Sequence, residues 1–165
     1  MSKHWEFIAE CLRTELADYG GLLHLFEAQQ GCLFGRDPQS VLRFATEIEA
    51  QARAAADSRE RRAQSVATFA AQNNRPANST LRSLLPLIET DARPLIEALI
   101  AEVNLLLHRV RRTCRHNHTL LKRAVEMHQE TMQHLRPNAF MKTYSPAGRV
   151  AVATAHPPAT LRAAG

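Results

Sequence analysis

Pro94–Leu135, PLIEALIAEVNLLLHRVRRTCRHNHTLLKRAVEMHQETMQHL, decides the fold class. Ile96, Leu99, Val103, Leu106, Val110, Asn117, Leu120, Ala124, Met127 and Thr131 recur at helical steps, so one face of one helix carries them. Pro94 is tolerated in the first turn, where its missing N–H has no helical partner to lose. About 40 residues of helix, roughly 60 Å at 1.5 Å per residue, outrun a compact core. Part of this face is therefore expected to pack only against a hairpin or to stand free.

Working back from it, Ser79 or Thr80 is placed to cap a short helix over 80–89 that carries Leu81, Leu84, Leu85 and Ile88 and is interrupted by Pro86. The polar run Gln72-Asn73-Asn74-Arg75-Pro76 ends the preceding helix. That helix, 38–72, opens at Gly35-Arg36-Asp37-Pro38, where Asp37 caps the free amides and Pro38 suits the first position. Its stripe reads Val41, Ala45, Ile48, Ala52, Ala55, Arg59, Arg62, Val66 and Phe69. Helix 1, about 3–34, carries Trp5, Ile8, Leu12, Leu16, Tyr19, Leu23, Phe26 and Leu33 on one face. Gly20, Gly21 and Gly31 each cost roughly 1 kcal/mol against Ala inside it, so a bend is expected. The short link makes helices 1 and 2 antiparallel neighbours.

Working forward, the pattern ends at Arg136-Pro137. Residues 137–165, with Pro146, Pro157, Pro158 and Gly148 among many Ala and Thr, read as a flexible tail with no core of its own. The sequence thus predicts an all-α chain: a helical domain over 1–136, with helices about 3–34, 38–72, 80–89 and 92–135, and the tail. The expected architecture is an elongated antiparallel hairpin or bundle of three to four helices with coiled-coil-like packing.

Composition agrees. Aromatic residues make up 5% of the 165, and Ala, Leu, Glu, Gln and Arg dominate, a mix that favours helix over sheet. Met1–Glu10 has no apolar run of the secretory kind. Leu95–Leu107 is broken by Glu97, Glu102 and Asn104 and is too short to span a bilayer, so no membrane insertion is expected. Cys11, Cys32 and Cys114 are an odd number without a C-x-x-C pair. They point to a reducing compartment, and the cytoplasm is the expected location.

Chemistry is hard to find in the pattern. His108, His116, His118, His128 and His134 share the long helix, but no two are three or four apart, so they do not chelate a metal from one face. No phosphate-cradling loop, nucleophile elbow or catalytic carboxylate pattern occurs. The chain reads as a non-enzyme without cofactor or metal.

Net charge is +5, and all cations except Lys3, Lys122 and Lys142 are Arg, so a polyanion partner has to be weighed. The cluster Arg109, Arg111, Arg112, Arg115, Lys122 and Arg123 spreads around the outer face of the long helix, with no adjacent aromatics to stack bases. That placement argues for a solvated face over a nucleic-acid site. Arg59, at the centre of the helix 2 stripe, and Arg62, near its edge, are expected to be solvated, paired or meeting a partner, because a buried unpaired charge is costly. In the tail, Phe140, Met141 and Tyr144 lie within one short segment, as exposed anchors of a recognition motif do.

Three stretches carry a family resemblance. The first is the hairpin: Leu22-Leu23-His24-Leu25-Phe26-Glu27, then Asp37, then Glu47-Ile48-Glu49 and Arg59-Glu60-Arg61-Arg62. The second is Asn117-His118-Thr119-Leu120-Leu121, and the third is Thr143-Tyr144-Ser145-Pro146-Ala147-Gly148. In this order they resemble the FlgN-type flagellar export chaperones over residues of about 15 to 150. The chain departs from that pattern in Ala50–Ala56, mostly Ala where the family carries a Lys followed by bulky aliphatics.

The resemblance implies a cytoplasmic, ATP-independent chaperone. It would bind the C-terminal helices of flagellar hook-associated (hook-filament junction) proteins, prevent their premature assembly and pass them to the export apparatus. Asn117, Leu120, Leu121, Met127, Phe140, Met141, Tyr144 and Gly148 are the expected partner-binding residues, with Arg59 and Arg62 secondary. A monomer or weak homodimer is expected. The competing readings are a non-specific nucleic-acid-binding helical protein and a structural coiled-coil subunit.

Overall fold

The computed structural model describes residues 4–135 in full and the backbone of 142–144 and 150–152. Helices α1 (His4–Phe34), α2 (Pro38–Gln72), α3 (Leu81–Leu84) and α4 (Arg93–Leu135) make an all-α helical bundle. The chain divides into two compact units, Met1–Leu120 and Leu121–Gly165.

The first unit is built on the α1–α2 hairpin. Asp37 accepts a hydrogen bond from the Ser40 amide at 3.1 Å, with Pro38 in the first turn, so α2 starts capped. The Ser40 side chain first, and then this amide hydrogen bond, hold the Asp37 carboxyl below its ordinary pKa. Arg36, at φ 55°, takes the left-handed conformation that ends α1, and the Asp37 amide closes back on the Cys32 carbonyl at 3.0 Å.

α1 stays one helix through all three of its glycines. At Gly21 the missing side chain has a use: a Cβ there would stand 3.1 Å from Gln51 Nε2, which donates to the Asp18 carbonyl at 3.0 Å. Small residues elsewhere in the contact (Ala9, Ala55, Ser58 and Ala70, all buried) bring the α1 and α2 backbones close together. α4 joins the same core with larger side chains, Ile96, Leu99, Val103 and Val110.

The buried line of α2 differs from the expected stripe. Ala45, Ala52 and Arg59 are exposed and Ser58 is buried, while Arg62, already part of that stripe, turns inward. The inward line runs Val41, Ile48, Gln51, Ala55, Ser58, Arg62, Val66 and Phe69. Alanine on every side of this stretch leaves apolar periodicity with little to discriminate. The acceptors that α1 offers, Asp18 and Glu15, decide which face turns in.

α3 is shorter than the expected 80–89. Thr80 caps it, accepting from the Ser83 amide at 3.2 Å, and after Leu84 the chain tightens into a 3-10 turn, Leu85–Leu87. Pro86 has no N–H to continue an α-helical ladder. Leu81, Leu84, Leu85 and Ile88 are all buried, so the segment serves as an apolar plug. Arg93 then donates to the Ile88 and Pro86 carbonyls at 2.9 and 2.8 Å as α4 begins.

The second unit contains the end of α4 and a two-stranded antiparallel ladder, β1 (Lys142–Tyr144) with β2 (Val150–Val152). Lys142 pairs with Val152, Thr143 with Ala151 and Tyr144 with Val150. The ladder falls within 137–165, the stretch that the sequence reads as a tail with no core of its own. β-branched Thr143, Val150 and Val152, with Tyr144, favour extended backbone over short runs too brief to register as periodicity.

Candidate functional site

The two arginines singled out on α2 separate in the structure. Arg62 donates from Nε to Glu15 Oε2 at 2.5 Å and from a terminal nitrogen to Oε1 at 3.3 Å, and Glu15 is 1% exposed. Tyr19 Oη donates to Glu15 Oε1 at 3.4 Å, one turn along α1. Burial first, and then the Glu15 charge, push the Tyr19 phenol pKa up, against a downward pull from Arg59. Ser58 Oγ donates to Asp18 beside this cluster at 2.5 Å. Arg62 is thus committed inside the hairpin, and Arg59 stands exposed on its surface.

Asn117 is committed in the same way, between α4 and α1. It is 4% exposed. Its amide donates to the Phe26 carbonyl at 2.7 Å and to Gln29 Oε1 at 3.3 Å, and its oxygen accepts from Gln30 Nε2 at 3.2 Å. Gln30 Nε2 also lies 3.0 Å from His116 Nδ1. In this conformation Asn117 clasps two helices of its own chain and presents nothing to a partner.

Beyond the clasp the environment of α4 changes. Leu120 is half-buried, and every residue over 121–135 is exposed. Leu121, Val125, Met127, Met132 and Leu135 are between 44% and 72% exposed. An open groove of about 770 Å³ lies along one flank, lined by Ala124, Val125, His128, Gln129, Met132 and Gln133. Leu121 and Met127 are exposed as large apolar side chains, but they do not line that groove.

Val125 and Met132 escaped the sequence reading because it followed the Met127 edge of the stripe. At about 100° per residue, Val125 and Met132 lie seven residues and about 20° apart on the opposite edge. That heptad pair was the available signal. Of the tail residues, Tyr144 falls in β1, and Phe140, Met141 and Gly148 lie outside the described residues.

Among the described residues no group of three or more His, Cys, Asp or Glu is arranged to hold a metal ion. No described helix is long and apolar enough to cross a membrane. What the second unit offers is an apolar helix flank with polar edges, a shape that receives another helix.

A family model described as FlgN protein matches residues 1–151, nearly the whole chain. Comparison with curated proteins and with solved structures gave no match.

Proposed function

The chain belongs to the FlgN family of flagellar export chaperones, and on that premise we propose that it holds the C-terminal helices of hook-filament junction proteins until export. The observation that carries this reading is the run of exposed apolar side chains on α4 from Leu121 to Leu135. A cargo helix laid along Val125 and Met132, or across Leu120, Leu121 and Met127, would remove that surface from water without any input of ATP. Phe140, Met141, Tyr144 and Gly148 would fold over the cargo as a second contact. Ordering ten such residues costs about 10 to 20 kcal/mol of backbone entropy, so the tail works with the helix and not alone. The cytoplasm is the proposed site of action, and the export apparatus is the proposed recipient.

Pull-down with the C-terminal region of a hook-filament junction protein tests this. The intact chain is expected to retain it, and a version ending at Arg136 is expected to retain less. Equal retention removes the tail's role, and no retention by the intact chain removes the cargo class.

A further inference from the structure

The outward face of α4 in the first unit carries a surface of another kind. Between Glu102 and Glu126 the helix has no Asp or Glu, yet it carries Arg109, Arg111, Arg112 and Arg115 in quick succession. Four arginines elsewhere have a carboxylate partner: Arg13 with Glu10 at 3.0 Å, Arg43 with Glu47 at 4.0 Å, Arg62 with buried Glu15, and Arg53 with Glu49. Arg109 reaches Glu27 at 3.8 Å. Among the described residues no carboxylate lies within ion-pair distance of Arg111, Arg112 or Arg115, and the sequence from Thr131 to Gly165 holds no Asp or Glu side chain to supply one.

Arg111 and Arg115 are also like charges one turn apart, which works against the helix. Helix stability therefore does not account for the arrangement. Ala101, Leu105, His108, Arg112 and Arg115 follow one another at steps of four and three, all exposed, and so form a heptad line on the face opposite the core. Leu105 is 64% exposed within it.

We propose that this line is a docking surface for an acidic amphipathic helix of a partner protein. Steps of four and three are the spacing that a second helix meets in a coiled-coil contact. Leu105 supplies an apolar anchor, and planar guanidinium groups at 112 and 115, flanked by Arg111, suit carboxylates. A nucleic acid would use the cations but leave Leu105 in water, with no aromatic neighbour to stack a base. The surface lies on the first unit and is independent of the apolar run after Leu120.

The full chain is titrated by fluorescence anisotropy against a labelled helical peptide whose heptads carry Leu and Glu at the seam positions. A single-stranded oligonucleotide of equal charge is titrated in parallel. Saturable peptide binding is expected, weakened about tenfold or more by Arg112→Glu with Arg115→Glu and about threefold by Leu105→Gln. The proposal is overturned if the charge reversal changes affinity by less than about twofold, if Leu105→Gln leaves it unchanged, or if the oligonucleotide binds more tightly than the peptide. All three positions are exposed, so the variants are expected to melt with the parent. If the reversal melts early, Arg112→Gln with Arg115→Gln takes its place under the same criteria.

Discussion

Arg93–Leu120 and Leu121–Leu135 belong to one helix and carry apolar residues at similar intervals, but they live in different surroundings. In the first stretch Ile96, Leu99, Val103 and Val110 are buried, and Asn117 is held by three polar contacts to α1. In the second, Leu121, Val125, Met127, Met132 and Leu135 face solvent. Periodicity places apolar residues on a face, and only a neighbouring element makes that face a core. Side chains of this size gain about 1.5–3 kcal/mol each on full burial, so the second stretch keeps a binding energy that the first has already used in folding.

The contrast can be tested by asking where a substitution costs stability and where it costs binding. The largest loss of stability is expected inside the hairpin. Arg62→Ala leaves Glu15 buried without its charge partner and should destabilise the chain by about 3–5 kcal/mol, whereas Glu15→Leu combined with Arg62→Met should be close to neutral. Urea denaturation followed by circular dichroism reads both. If Arg62→Ala melts with the parent, the pair is not holding the hairpin.

At the boundary between the two stretches a smaller effect is expected. Asn117→Leu strands the polar groups of Gln29, Gln30 and the Phe26 carbonyl, and should cost about 1–3 kcal/mol by the same measurement. An unchanged midpoint would mean that water replaces the clasp. Beyond the boundary stability should hardly move. Val125→Gln with Met132→Gln is expected to shift it by no more than about 0.5 kcal/mol, because each residue already stands about half exposed. Retention of the hook-junction segment in a pull-down should nevertheless fall. Loss of stability with unchanged retention would reverse the assignment of the two stretches.

Much of this was legible in advance. Asp37-Pro38 marks the start of α2 because a capping carboxylate and a residue without N–H are chemically suited to those two positions, whatever surrounds them. The extent of α4 is legible because its apolar repeat is long and ends at Arg136-Pro137. The inward face of α2 was not legible, because alanines on several sides of 50–56 leave the choice to Glu15 and Asp18 on another helix. The role of Asn117 was hidden for a similar reason: a polar residue in an apolar stripe reads equally well as a contact for a partner or as one for the chain's own α1. The groove residues Val125 and Met132 were obscured by Met127, which has the same chemistry on the opposite edge and so a competing phase.

The sequence by itself determined what local forces determine: helices, their caps, the break at Pro86, and an apolar face continuing to the end of α4. Tertiary structure alone decided which arginine turns in to pair with Glu15, which polar side chain joins α1 to α4, and where along α4 burial stops. Those outcomes depend on which groups from distant parts of the chain meet. A charge or an amide has no preferred side until an acceptor is brought opposite it, and an apolar face remains a surface until another element covers it.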